Sequence, residues 1–541
     1  MDLSKNLKLE NRNKKFNSGF DIEDIRKRRE EGLIELRKKK RDDHITKKRA
    51  LVSETGKLAK EAITITSEEV VFKHEWVDSD LSSAESRLIS TELPPESRLV
   101  VLLELILMSE DLEVLFKSIQ TLRKILSDET PPPLMMITKS GVSRRLIDLI
   151  SYDLTDLQIE CAWCLLNMAS GSGEIIDMIV AEGIVNALVG LLGSKNFDLV
   201  DLCVWTLGNI AGDSVESRDK IVEAEGIHKL LEIITTREGI TLQHLSTLVW
   251  AISNCCRGKP EPPHDLMKKV IKLLPSLFAT NEEDILSDSC WTLSYLSDGH
   301  TEHVEDLISL NLLPTLVELL STPITKIQIP ALRTLGNILT GNDQQTEKVI
   351  ALGLIDKIAP LLTSRKRSLR KEALWAVSNI MAGADEQINM VLSHPCMQLV
   401  LASVIDSDIE IKKEALWAIS NASHAKNKAL VLKLVDLGAL IALCEVLNMQ
   451  DAKVLLIALE GLNNILRAGK DMINFDKGET INEVALKFDE MDGVAKLEGL
   501  QTHPNVKIYQ KVVAIMDEHY GLEEIDENTN SVQTPVMFSI A

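Results

Sequence analysis

A chain of 541 residues, 45% hydrophobic and 26% charged, is longer than one compact core supports and too apolar for wholesale disorder. Aromatics reach only 4%, so burial falls to Leu, Ile, Val and Ala, as in helical proteins. The net charge of −21 is uneven: residues 1–60 hold 19 basic and 11 acidic groups (+8), and the remainder holds 41 and 70 (−29). A basic arm on an acidic body suits an acidic partner for the arm and basic ligands for the body, and lets the arm bind its own body. That body repels a phosphate backbone, so direct nucleic-acid binding is not expected. There is no uncharged apolar run of eighteen residues and no secretory leader, so neither membrane insertion nor secretion is expected.

Residues 1–54 read as the basic arm. No proline precedes Pro94, and residues 22–50 suit one helix with basic groups on nearly every face. Such a helix lacks an apolar stripe and is not stable alone, so it should order only against an acidic groove. Residues 55–94 read as a flexible linker, residues 95–521 as repeats, and residues 522–541 as a polar, unstructured tail.

The tryptophans reveal the repeats. Trp163, Trp205, Trp250, Trp291, Trp375 and Trp417 are separated by 42, 45, 41, 84 and 42 residues. Arg333 bisects the long gap, and Glu460 lies 43 residues beyond Trp417. Four residues after these markers come Asn167, Asn209, Asn254, Asn337, Asn379, Asn421 and Asn464, with Tyr295 as the exception. Around Trp205, the residues Leu199, Val200, Cys203, Val204, Leu207 and Ile210 supply apolar positions at helical spacing. Breakers such as Ala211-Gly212-Asp213, Thr340-Gly341-Asn342 and Ala382-Gly383 follow these long helices. A short helix is expected next (Ile221 to Gly226, Val349 to Gly353), then a second apolar one (Ile227 to Ile234). Three helices on a period near 42 predict an all-α armadillo-repeat solenoid, right-handed and superhelical, of about ten repeats.

Residues four apart share one helix face, so stacked repeats align the Trp–Asn pairs into a ladder. Core packing alone tolerates many other residues at each site and does not explain seven recurrences. An Asn amide both donates to and accepts from a peptide backbone. Neighbouring indoles accept the alkyl stems of Lys or Arg and attract their charge by about 0.5–2 kcal/mol each. Asp213, Asp288, Asp343, Glu372 and Glu414 stand beside the markers. The expected ligand is an extended Lys/Arg-rich segment. An armadillo scaffold for acidic peptides is the competing reading, and it would need a basic groove.

No phosphate loop, nucleophile elbow or metal-ligand set is found, so no enzymatic activity, cofactor or metal is expected. The Cys161-Ala162-Trp163-Cys164 pair lies within an apolar helical pattern, and the eight cysteines read as buried thiols. His300 and His303 read as solvated loop residues.

At the level of motifs, the chain resembles the importin α family of nuclear import adaptors. Val204-Trp205-Thr206-Leu207-Gly208-Asn209-Ile210-Ala211-Gly212-Asp213 looks like the family's third repeat. Trp250-Ala251-Ile252-Ser253-Asn254, Cys290-Trp291-Thr292-Leu293-Ser294-Tyr295 and Ala331-Leu332-Arg333-Thr334-Leu335-Gly336-Asn337 resemble the fourth to sixth. The resemblance implies a major site for nuclear localisation signals at Trp163, Asn167, Gly171, Trp205, Asn209, Asp213, Trp250, Asn254, Asp288 and Trp291. It implies a minor site at Arg333, Asn337, Gly341, Asp343, Thr346, Glu372, Trp375, Ser378, Asn379, Glu414, Trp417 and Asn421. Departures at Ile176, Leu202 and Thr247, where the family usually has polar residues, are expected to weaken the major site. The Ser423-His424-Ala425 loop also departs from a glycine-rich pattern.

The arm, with Arg26, Lys27, Arg28, Arg29, Arg37, Lys38, Arg41, Lys47, Lys48 and Arg49, is similar to the family's importin β-binding region. Lys47-Lys48-Arg49 also looks like a signal for the chain's own groove, which implies autoinhibition. As a flexible tether, residues 51–94 span about 35–40 Å. The resemblance further implies cargo proteins, importin β and a recycling exportin as partners, nuclear pore association through importin β, and shuttling between cytoplasm and nucleus.

Overall fold

The computed structural model describes residues 95–127, 132–298, 301–473 and 481–520. The arm, the linker, the tail after Tyr520 and His300 lie outside the described residues. The chain divides into two compact units, with the boundary between Ile338 and Leu339. Among the described residues all regular structure is helical.

Ten long helices recur on the marker period. In the first unit they are α1 (Leu112–Leu126), α2 (Thr155–Met168), α3 (Phe197–Asp213), α4 (Leu242–Cys255), α5 (Glu283–Leu296) and α6 (Thr325–Leu339, whose last residue opens the second unit). In the second they are α7 (Arg367–Met381), α8 (Ile409–Ala422), α9 (Ala452–Asp471) and α10 (Val506–Tyr520). Inner helices such as α3 and α8 are buried on most sides because they lie between neighbours, whereas α1 and α10 keep a charged, exposed face. Helix α3 packs on α2 and α4, and α8 packs on α7 and α9. Leu199, Cys203, Leu207 and Ile210 of α3 are fully buried. Asn196 begins α3 by accepting the Leu199 N–H at 3.0 Å, and Asp408 begins α8 by accepting that of Glu410 at 2.9 Å.

Two expectations change. The short helices are Val215–Glu223 and Asp343–Ile350, so they start six residues earlier than the apolar pattern suggests and stop before their glycines. Their first turns are polar and are set by caps instead. Ser214 Oγ accepts the Ser217 N–H at 3.1 Å, and Asn342 Oδ1 accepts that of Gln345 at 2.9 Å. Gly353, at φ 79°, then provides the left-handed turn into Leu354–Ile358. The second change is that α3 continues through Ala211-Gly212-Asp213 rather than breaking there.

Candidate functional site

The markers fall on α2 to α9, each one turn before its asparagine except Trp291 on α5, which is followed by Tyr295. Trp163, Trp250, Trp291, Arg333 and Trp417 are half-buried, whereas Trp205 and Trp375 are 2% and 8% exposed. Asn167, Asn209, Asn254, Asn337, Asn379 and Asn421 are all buried. Their amides do more than the sequence suggests, because most reach back into the preceding repeat. Asn254 Nδ2 donates to the Gly208 carbonyl at 2.9 Å, Asn337 Nδ2 to that of Ser294 at 2.9 Å, and Asn421 Nδ2 to that of Ser378 at 2.9 Å. Asn167 Nδ2 donates to Ser127 Oγ at 3.2 Å, and Asn464 Nδ2 to Ser423 Oγ at 3.1 Å. Ser378 Oγ in turn donates to the Trp375 carbonyl at 2.8 Å. Asn209 differs, since both its amide atoms are buried without a hydrogen-bond partner.

The indole of Trp250 lies across Gly208. A Cβ there would come within 2.2 Å of the ring, so only glycine allows this approach. A Cβ on Gly212 would lie 3.3 Å from Asn254 Nδ2. Gly208 is therefore part of the site, although its place in the Leu-Gly-Asn sequence gave no sign of that contact.

Acidic groups recur in register. Asp288, Glu372 and Glu414 each stand three residues before a marker and are buried. Glu160 occupies the same position before Trp163 and was missed by sequence reasoning, although the spacing identifies it. It is buried against Arg123 Nε at 2.5 Å. Asp213, half-buried at the end of α3, faces Gly173, whose Cβ would lie 3.4 Å from Oδ2. Asp343 is exposed in the first turn of Asp343–Ile350, and its carbonyl accepts Gln387 Nε2 at 2.9 Å. Thr346 is buried, with Oγ1 donating to the Leu339 carbonyl at 3.4 Å. Gly171 and Gly341 are half-buried beyond the ends of α2 and α6.

The three departures are all buried. Ile176 and Leu202 belong to the core, and Thr247 Oγ1 donates to the Gln243 carbonyl of its own helix at 3.2 Å.

All eight cysteines are buried free thiols. Burial raises the Cys203 and Cys255 thiols to about 12 and also pushes those of Cys161 and Cys164 up. His303 corrects an expectation. It is 1% exposed rather than solvated, and its ring stacks on His264 with centroids 4.7 Å apart. Among the described residues, no three His, Cys, Asp or Glu side chains gather as a metal site, and no helix is long and apolar enough to cross a membrane.

A ladder of periodic steps on stacked helices defines an armadillo-repeat protein. Residues 174–212, 300–340 and 342–382 match the armadillo/β-catenin-like repeat, and 482–534 match an atypical armadillo repeat. Residues 12–92 match the importin beta binding domain. An engineered protein of known crystal structure has the same fold, with a TM-score of 0.67 at 24% identity over 77% of this chain and 97% of that one. The importin subunit alpha-B of Dictyostelium discoideum is 43% identical over 96% of this chain and 95% of its own. Importin subunit alpha-4 of Arabidopsis thaliana is 34% identical over 98% and 97%. The chain belongs to the importin α family, the adaptors of nuclear import, and carries that family's importin β-binding segment.

Proposed function

We propose that the Trp–Asn ladder binds the Lys/Arg-rich nuclear localisation signals of cargo proteins, and that residues 1–54 link this cargo to importin β. The single observation that carries the reading is the repeated step itself. An aromatic or arginine marker followed by a buried Asn recurs along one frame, most of these amides are anchored to the preceding repeat, and a buried carboxylate stands three residues before the marker at Trp163, Trp291, Trp375 and Trp417. Anchoring one N–H leaves a planar amide held in place for the backbone of an extended ligand. Asn209, with both amide atoms buried and unpaired, supports such a ligand, because that arrangement costs about 1–3 kcal/mol until it is satisfied.

The steps at Trp163, Trp205 and Trp250 form the major site, with Gly171, Asp213, Asp288 and Trp291. Those at Arg333, Trp375 and Trp417 form the minor site, with Gly341, Asp343, Thr346, Glu372, Ser378 and Glu414. The minor site is the stronger of the two, because the buried Ile176 and Leu202 and the internally bonded Thr247 offer nothing to a cation.

In this reading Lys47-Lys48-Arg49 compete with cargo from the end of the linker, residues 55–94, at an effective concentration that can approach millimolar. Importin β withdraws the arm, so cargo and carrier binding are coupled. The last repeat, ending at Tyr520, contributes to a recycling exportin, pore association comes through importin β, and the adaptor shuttles between cytoplasm and nucleus.

The test is the affinity of a Lys/Arg-rich peptide for the full chain, for the chain lacking residues 1–54, and for the full chain with importin β. Affinity should rise about tenfold or more in the last two. Equal affinities would refute autoinhibition, and no binding in any form would refute the cargo site.

A further inference from the structure

The ladder does not stop at Trp417. One repeat later, Asn464 Nδ2 donates to Ser423 Oγ at 3.1 Å, much as Asn337 Nδ2 donates to Ser297 Oγ at 3.1 Å. The amide step is thus repeated on α9, but its marker is Glu460 instead of an indole. That carboxylate is already occupied from within the chain. Lys511, projecting from α10, donates its ammonium directly to Glu460 Oε2. His424 Nε2 lies 3.6 Å from Glu460 Oε1, while its Nδ1 donates to the Ser420 carbonyl at 2.8 Å. Asn464 Nδ2 also lies 3.1 Å from His424 Nε2, so carboxylate, imidazole and amide form one cluster. Glu460 and Lys511 keep 21% and 27% side-chain exposure, so the pair is reachable from solvent.

We propose that Glu460 is a further cation-binding step of the ladder, filled by the chain's own Lys511, and that this internal lysine fixes where the ligand track ends. The inference rests on the peptide-binding reading above and extends it by one position. A ligand Lys or Arg would need to displace an ammonium already at hand, so in the parent chain the step adds nothing to affinity. Removing Lys511 opens the carboxylate to an incoming cation. Helix α10 stays in place without that pair, because Arg467 Nε and Nη2 hold Glu518 Oε1 and Oε2 at 2.6 Å each.

The test uses the full chain with a Lys/Arg-rich peptide and two longer versions, each extended by two lysines at one end. Affinity ratios between extended and core peptides cancel competition from the arm. In the parent both ratios should stay below about two. In Lys511→Met, which keeps the alkyl stem, extension at one end should gain about fivefold. In the double variant Lys511→Met/Glu460→Gln that gain should vanish. Equal ratios in parent and Lys511→Met, or a gain that persists in the double variant, would overturn the proposal. Failure of the core peptide to bind the parent would overturn the reading beneath it.

Discussion

A buried asparagine on a helix face is costly unless its amide is satisfied, and this chain buries one in repeat after repeat. The bonds from Asn254, Asn337 and Asn421 to carbonyls of the preceding long helix offset that cost and fix the stacking register of the two helices. The recurrence of Asn was legible from sequence. Its partner was not, because it lies 43 to 46 residues back and depends on which turn of one helix meets which turn of the next. Gly208 shows the same gap between pattern and contact, since the Trp250 ring fills the space where its Cβ would be. Replacing Gly208 with Ala should move that indole, cost about 1–3 kcal/mol in chemical denaturation and weaken Lys/Arg-peptide binding. An unchanged denaturation midpoint would contradict this placement of the ring.

Among the elements, the long apolar helices were legible because their side chains face neighbours on several sides. The short helices were misplaced because Val215-Glu216-Ser217-Arg218 has no apolar period, and a cap at Ser214 decides where the helix begins. The α9–α10 contact was equally hidden, since nothing in the spacing pairs Glu460 with Lys511. His424 and the Lys511 ammonium, acting against burial, lower the Glu460 carboxyl from 4.5 to about 2. A depressed carboxylate stabilises the fold above its ordinary pKa, and that contribution is lost as pH falls toward the folded value. Glu460→Gln should therefore lower stability by about 1 kcal/mol at pH 7, a figure kept small by the partial exposure of the pair. That deficit should shrink between pH 4.5 and pH 2 in thermal melts. A deficit that stays constant down to pH 2 would show that the ion pair is not its source.

At the scale of the molecule, charge divides the N-terminal arm from the rest of the chain. An arm of net +8 is joined to a remainder of net −29, and Glu160, Asp288, Glu372 and Glu414 are carboxylates of that remainder placed in the frame of the ladder. The armadillo period, the frame of Trp–Asn pairs and the family were all legible from sequence, because a repeat writes each contact many times over. The proposed weakness of the major site was visible only as unusual residues at 176, 202 and 247. Their burial supports that proposal, because side chains committed to the core or to their own helix have nothing left for a ligand. The most direct measurement is calorimetric titration of one short Lys/Arg-rich peptide into the parent chain, Asp213→Lys and Glu414→Arg. Both variants should bind more weakly, with a loss of about tenfold or more for Glu414→Arg and a smaller one for Asp213→Lys. Unchanged affinity in both would contradict a cation-binding ladder, and an equal or larger loss from Asp213→Lys would contradict the dominance of the minor site.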